Sequence, residues 1–207
     1  MLRAEVRRKL IHLTTLLIPL FYFGLDDVMV SGTTLRLSQG MIALALVWVV
    51  TLDYLRLRVS LVKGVFVVLF GSLLRRKELT GLTGGSHLLI GSLLAALVYE
   101  PGVLLPAVAF LGLGDTMAAV VGLSFGRIRI WGKTLEGTLA CLLSCLAVAG
   151  VSSILPYWNL PFGVGILGAV TASLAEVLPF KVNDNLAIPL MSGLVMEVAL
   201  WTRLLGS

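Results

Sequence analysis

Charged residues are scarce in this chain of 207 residues. They make up 13% of the sequence, whereas an ordinary soluble domain carries about 25%. Hydrophobic residues make up 58%, and the mean hydropathy is +1.01. So few charges cannot cover a globule of this size in water, which excludes an ordinary soluble domain. Composition therefore predicts a protein embedded in a bilayer, and the length suits a single domain over residues 1–207.

Cysteine and histidine are also rare, with two of each. Cys141 and Cys145 share one helix face in an apolar run, so we interpret them as small packing residues, with a reactive or metal-binding role as the alternative. His12 and His87 lack metal-ligand spacing, so a zinc site is not expected. The sequence contains no GxSxG turn, so a serine nucleophile is not expected. No basic stretch is interleaved with aromatic residues, so nucleic acid is not an expected partner.

Apolar runs are abundant. A helix crosses the hydrocarbon core with about 20 residues, and seven segments approach that length. They are roughly 8–25, 38–55, 84–100, 103–123, 135–155, 162–179 and 185–205. The first lacks a small-x-small cleavage site, so we expect a retained helix. The shorter run Gly64 to Leu74 has basic flanks, which favours an interfacial helix over a full span. The predicted fold is all-α, with about seven transmembrane helices and one interfacial amphipathic helix.

Basic residues fall mostly on one side of this topology. The alternate segments that begin with the N-terminus hold fourteen of the sixteen Lys and Arg residues. The positive-inside rule then predicts a multi-pass protein with a cytoplasmic N-terminus. On this topology polar residues from distant parts of the sequence share the cytoplasmic face, which predicts a composite site there. A transporter, the alternative, would favour polar residues near the midplane.

Asp115 lies inside an otherwise apolar segment. Ionisable residues within spans are costly and normally face a bundle interior or a wet cavity. Ala118, Ala119 and Gly122 follow on the same helix face, so another helix can approach closely there. An Asp that only pairs with a neighbouring Arg or caps a helix is the alternative.

A short basic turn follows, from Gly126 to Thr134, with the sequence GRIRIWGKT. It is not a Walker A loop, because five residues rather than four separate Gly126 and Gly132. Its glycines and the N–H groups of the next helix could still bind an anion. Lys133 would neutralise phosphate, Thr134 could cap the helix, and Glu136 would be favoured by the helix dipole. A loop that only sets topology is the alternative.

Near the C-terminus, Glu176 lies in an apolar run and requires a partner. Asn183, Asp184 and Asn185 begin another helix, and three such residues exceed what one N-cap requires. These residues are further candidates for the site.

The segment from Gly114 to Ala140, GDTMAAVVGLSFGRIRIWGKTLEGTLA, and the later VNDNLAIPL resemble the CTP-dependent polyprenol kinase family. That family includes dolichol kinases, phytol kinases and CTP-dependent diacylglycerol kinases. The segments RRKLIHL and LLRRKELTGLTGGS are similar to it as well. The resemblance implies transfer of the γ-phosphoryl group of CTP to the hydroxyl of a membrane lipid alcohol, with Mg²⁺ or another divalent cation.

The resemblance also implies site residues. The positions that match family motifs are Arg75, Glu78, Asp115, Gly126, Lys133, Thr134, Glu136, Gly137, Thr138, Asp184 and Asn185. Asp53 and Arg56 stand where members often carry an acidic residue followed by Arg. We expect Lys133, with Arg127 or Arg129 and the backbone at Gly132, to hold the triphosphate. Asp115, Glu136 and Asp184 are expected to hold the metal or act in catalysis, with Glu136 alternatively holding the loop. The motif is also similar to phosphatidate cytidylyltransferases, so a CDP-lipid product is the alternative.

Overall fold

The structure is a computed structural model that describes residues 7–9, 13–18, 31–156, 158–179 and 182–202. Most of these residues lie in helices, which confirms the predicted all-α class; a two-stranded hairpin is added to it. The first predicted span, 8–25, lies largely outside the described residues, and so does His12.

The helices follow the apolar segments of the sequence closely. They are α1 (Ser31–Arg58), α2 (Ser60–Phe70), α3 (Gly84–Val98), α4 (Pro101–Ala109), α5 (Asp115–Phe125), α6 (Leu135–Ile154), α7 (Phe162–Val177) and α8 (Asp184–Trp201). A π-helical turn, Phe110–Gly114, joins α4 to α5. Short 3₁₀ turns lie at Leu13–Leu16, Gly71–Leu73 and Arg76–Leu79. The strands of the hairpin are β1 (Arg129–Ile130) and β2 (Lys133–Thr134).

Within the described ranges, three helices are long and apolar enough to cross a membrane. These are Gln39–Arg58, Pro101–Phe125 and Leu135–Ile154. Ser60–Leu73, α3 and α7 are apolar but shorter. These helices support the predicted membrane protein, whereas the seven-span count and the cytoplasmic N-terminus stay predictions.

The helix from Pro101 to Phe125 forms the centre of the protein. Leu104, Leu105, Phe110 and Leu111 on this helix are fully buried. The outer faces of the surrounding helices are apolar and exposed, as at Leu143 and elsewhere. Helices that expose apolar residues outwards suit a lipid environment rather than water, where such patches are small.

Helix α2 is set apart from this core. None of its eleven described residues is buried. This isolation is compatible with the interfacial helix predicted from the basic flanks, and its position in the membrane stays a prediction.

Helices α5 and α6 approach each other closely through small residues. A Cβ added at Gly137 would lie 2.6 Å from the carbonyl oxygen of Ala118, and one at Gly122 would lie 2.6 Å from Thr134 Oγ1. This confirms the close packing that the small face after Asp115 predicted. Cys141 and Cys145 are free, buried and packed against the adjoining turn at Gly114.

We predict that Gly137→Ala destabilises the protein by about 1–3 kcal/mol, because the new methyl group overpacks the contact with Ala118. In a chain of this size each kcal/mol lowers the melting temperature by roughly 2–4 °C. Gly40→Ala is the matched control, since a Cβ at this helical glycine meets nothing within 4 Å. Melting curves in detergent would test this, and equal melting temperatures for the two variants would contradict it.

Candidate functional site

A cavity of about 660 Å³ lies where the hairpin, the loop before α3 and the starts of α5 and α8 come together. We call it the main cavity. Its described lining residues are Arg8, Lys9, Ser72, Leu73, Leu74, Arg75, Arg76, Asp115, Ala118, Ala119, Gly122, Leu123, Arg129, Gly132, Lys133, Thr134, Gly137, Glu176 and Asp184. The lining therefore combines cations and carboxylates with a run of apolar and small residues.

Asp115 forms an ion pair with Lys9, which is 106 residues away in sequence. Both side chains are nearly fully buried, with 6% and 3% of each residue exposed. Asp115 is the first residue after the π-helical turn, a feature often found at functional sites. Burial makes this pairing necessary, because an uncompensated charge in the interior is strongly destabilising. The sequence analysis did not assign Lys9 to the site. The only signal for it was the basic run RRK, which precedes the first apolar segment.

A second charged cluster joins three elements around Lys133. Its Nζ lies 3.1 Å from Glu176 Oε1 and 3.1 Å from Asp184 Oδ2, and it also donates to the carbonyl oxygen of Glu176. Thr138 Oγ1 donates to the other carboxylate oxygen of Glu176 at 3.3 Å. The partner that Glu176 requires in its apolar run is therefore Lys133.

The pKa of Lys133 reflects these neighbours. Burial alone would lower the pKa, but the Asp184 and Glu176 carboxylates outweigh it and raise the pKa above its ordinary value of 10.5. While Asp184 and Glu176 are ionised, the charge on Lys133 contributes stability that is fully present below pH 10.5 and is lost as the pH rises through the higher folded-state pKa. At neutral pH Lys133 is a fixed positive charge at the wall of the cavity.

The basic turn folds as a tight β-hairpin. Trp131 and Gly132 form its two-residue loop with φ values of 48° and 87°, the left-handed conformation in which glycine is favoured. Thr134 caps α6 by accepting a hydrogen bond from the Gly137 N–H at 3.2 Å, as predicted. The Leu135 N–H donates to the carbonyl oxygen of Ile128. Two of the first N–H groups of α6 are thus already bonded, which leaves the side chains of the turn as its main anion-binding groups.

Glu136 holds the segment that precedes the hairpin. Its carboxylate accepts hydrogen bonds from the N–H groups of Arg127 at 3.0 Å and Ile128 at 3.2 Å. Glu136 is absent from the described lining of the main cavity. This geometry favours the loop-holding role over metal binding.

Asp53 and Arg56 form a buried ion pair, with 2.7 Å between Oδ1 and Nε. Asp53 also accepts hydrogen bonds from Thr83 N and Ser86 Oγ. Arg56 donates to the carbonyl oxygens of Glu78 and Gly81. The pair therefore fixes the loop between α2 and α3, which carries Arg75 into the cavity.

Glu78 and Asn185 tie that same loop together from opposite sides. Glu78 accepts from the N–H groups of Arg75 at 2.8 Å and Gly84 at 3.1 Å. Asn185 donates to the carbonyl oxygen of Gly84 at 2.9 Å. Asn183 caps α8 by accepting from the Asn185 N–H. Arg75, Glu78 and Asn185 line a small polar pocket that also contains Lys9, Asp115 and Asp184.

The structure thus gathers most of the predicted site residues. The main cavity brings together Arg75, Asp115, Arg129, Gly132, Lys133, Thr134, Gly137, Glu176 and Asp184. Six other predicted residues are absent from the described lining of the main cavity and of the small polar pocket. They are Asp53, Arg56, Gly126, Arg127, Glu136 and Thr138. The lining residues that sequence reasoning did not assign to the site include Arg8, Lys9, Arg76, Leu73, Leu74 and Leu123.

Carboxylates are the candidate metal ligands, and Asp115 and Asp184 both line the main cavity. Within the described residues no group of three or more His, Cys, Asp or Glu side chains could hold a metal ion. Mg²⁺ often uses one or two protein carboxylates and takes its other ligands from phosphates and water, and Asp115 and Asp184 are the aspartates of the described lining that could supply them.

No protein-family model and no solved structure matches the chain. Similar sequences do exist. An uncharacterized protein of Rickettsia prowazekii is 25% identical over 197 residues, which cover 90% of this chain and 90% of that protein.

Two relatives have named activities. The CTP-dependent diacylglycerol kinase 1 of Saccharomyces cerevisiae is 24% identical over 221 aligned residues, covering 96% of this chain and 74% of the kinase. That of Eremothecium gossypii is 28% identical over 218 residues, covering 93% of this chain and 66% of the kinase. Along most of its length, the chain is therefore distantly similar to CTP-dependent diacylglycerol kinases.

Proposed function

We propose that this protein is an integral membrane lipid-alcohol kinase that transfers the γ-phosphoryl group of CTP to the hydroxyl of a membrane lipid. The observation that carries the proposal is the main cavity, in which cations, two aspartates and an apolar wall share one space. The similarity to two CTP-dependent diacylglycerol kinases supports the choice of donor and makes diacylglycerol the first acceptor to test. A polyprenol or phytol acceptor would use the same chemistry.

The cationic wall supplies the phosphate site. Arg75, Arg129 and Lys133 line the cavity together with Arg8 and Arg76. Phosphoryl transfer depends mainly on positioning and on stabilising charge on the transferred group. Arginine and lysine provide both, since arginine binds phosphate oxygens in pairs and lysine provides a compact charge.

The apolar wall supplies the acceptor site. Leu73 and Leu74 face the cavity from the segment after α2, and Ala118, Ala119 and Leu123 face it from α5. Leu123 is exposed at the outer surface of the protein as well. A lipid chain can therefore lie against this wall, with its hydroxyl group directed towards the charged residues.

Asp115 and Asp184 are the carboxylates placed to serve the reaction. When bound, Mg²⁺ would neutralise the charge of the phosphates, and these two residues would hold it. In the transfer, the lipid oxygen forms a bond to the γ-phosphorus as the bond to the β–γ bridging oxygen breaks. CDP leaves, and the hydroxyl proton passes to a cavity carboxylate. On the predicted topology this site lies at the cytoplasmic face, where CTP is available.

We expect purified protein with Mg²⁺ and diacylglycerol to move label from γ-labelled CTP, but not from α-labelled CTP, into the lipid fraction. Thin-layer chromatography and mass spectrometry would identify phosphatidic acid. Label from the α position would instead indicate a cytidylyltransferase that makes a CDP-lipid. Absence of transfer to diacylglycerol, polyprenol and phytol alike would refute the kinase.

The buried ion pair provides a test that separates folding from chemistry. Lys9→Met and Asp115→Leu should each destabilise the protein by about 3–5 kcal/mol, because each leaves a buried charge without its partner. The double variant should recover most of this stability, since an apolar pair can replace an ion pair.

Transfer should nevertheless stay at least roughly 100-fold below the unmodified protein in the double variant, because a group that stabilises the transition state is still missing. Melting temperature and initial rate would be measured on the same preparations. A stable double variant with normal activity would exclude both residues from the reaction. Glu100→Gln, an exposed carboxylate outside the described cavity lining, is the control for charge removal.

Lys133→Met should lower the transfer rate by roughly 100-fold or more, since it removes a fixed cation from the phosphate wall. Lys63→Met is the matched control, because Lys63 is exposed on α2. Both variants would be assayed at several CTP concentrations. Equal activities for the two variants would contradict a role for Lys133 at the phosphates.

A further inference from the structure

A second groove of about 610 Å³ adjoins the site. We call it the His87 groove. It is defined by Lys77, Gly81, Leu82, His87, Val182 and Leu186. Arg75 and Asp184 line both this groove and the main cavity. Ligand sites typically have volumes of roughly 300–1,000 Å³, so the groove is large enough for a nucleoside.

The two spaces share the loop before α3 and the start of α8, and they differ in their other walls. The apolar wall of the main cavity comes from α5 and the end of the α2 segment, whereas the His87 groove lies between the loop before α3 and the start of α8. Most of the residues that line the groove are polar or charged: Arg75, Lys77, Glu78, His87, Asn183 and Asp184. A polar ligand therefore suits the His87 groove, while a lipid chain suits the main cavity.

The small polar pocket shares lining residues with both spaces. It contains Asp115 from the main cavity, Asn183 from the groove, and Arg75 and Asp184 from both. A triphosphate that extends from the groove across Arg75 and Asp184 would bring its terminal phosphate towards Asp115.

The histidine has a defined hydrogen-bonding role in this groove. Its Nδ1 lies 2.9 Å from the carbonyl oxygen of Thr83. A carbonyl oxygen can only accept, so the neutral ring carries its proton on Nδ1 and Nε2 is an acceptor. Cytosine offers an amino group as a donor at the position where uracil has a carbonyl oxygen. An acceptor such as Nε2 would therefore bind cytosine but not uracil at this position.

We propose that the His87 groove binds the nucleoside part of the donor and that His87 Nε2 accepts a hydrogen bond from the cytosine amino group. This inference rests on the proposed function. It assigns the nucleotide and the lipid substrate to separate spaces, and it names His87 as the residue that selects CTP over UTP.

The test is equilibrium binding of CTP and UTP to the full chain in detergent, with Mg²⁺ and without acceptor lipid. His87→Asn can keep a donor towards Thr83 but lacks an acceptor at the Nε2 position, whereas His87→Gln can place its amide oxygen there. We expect His87→Asn to weaken CTP binding by roughly tenfold, the effect of one hydrogen bond of average strength. UTP binding should change less than about twofold, and His87→Gln should retain most of the preference for CTP.

Two further variants make the assignment independent of His87. Val182→Trp places a bulky group at an exposed rim position of the groove and should weaken both nucleotides. Leu123→Ala alters the apolar wall of the main cavity and should leave nucleotide binding unchanged while raising the KM for lipid. Unchanged CTP binding in both His87→Asn and Val182→Trp would overturn the assignment of the groove while leaving the proposed kinase intact. An unmodified protein that does not bind CTP would overturn both proposals.

Discussion

The site depends on the cost of leaving a charge unpaired inside an apolar protein. After relaxation, the penalty for a buried ion is still several kcal/mol, and only a close partner of opposite charge offsets it. Lys9 with Asp115, and Lys133 with Glu176 and Asp184, meet this requirement. These pairs connect the N-terminal segment, α5, the hairpin, α7 and α8, so the same electrostatic constraint that stabilises the fold also collects the charged groups around one cavity.

Backbone packing sets the positions of these charges. Gly122 and Gly137 let α5 and α6 approach until an added Cβ would overlap the facing atoms. The hairpin between these helices is tight because Trp131 and Gly132 adopt left-handed conformations, and Glu136 holds its entry segment. Lys133 therefore extends from a short, well-anchored element, which suits the phosphate-binding role proposed for it.

The positions of the helices and several charged residues of the cavity could be predicted from the sequence, because each of these predictions used a local signal. Apolar length located the helices, and the cost of ionisable residues in apolar runs identified Asp115 and Glu176. The partners of these residues were not predictable, since Lys9 and Asp115 are 106 positions apart and only the folded chain brings them together. The same holds for the His87 groove, whose walls come from two loops about 100 residues apart. For Glu136 the sequence left both metal binding and loop-holding open, because a motif does not specify which atoms a carboxylate will contact; the hydrogen bonds to Arg127 and Ile128 favour loop-holding.

The arrangement of the two spaces bears on which phosphorus atom is attacked. In cytidylyl transfer the acceptor must reach the α-phosphorus, next to the nucleoside, whereas a kinase requires it to reach the γ-phosphorus at the far end. If the nucleoside lies in the His87 groove as proposed, the phosphates can run along Arg75 and Asp184, which line both the groove and the main cavity. The terminal phosphate would then be the one that meets a hydroxyl held against the apolar wall. On the proposed assignment of the two spaces, γ-phosphoryl transfer is therefore favoured over cytidylyl transfer.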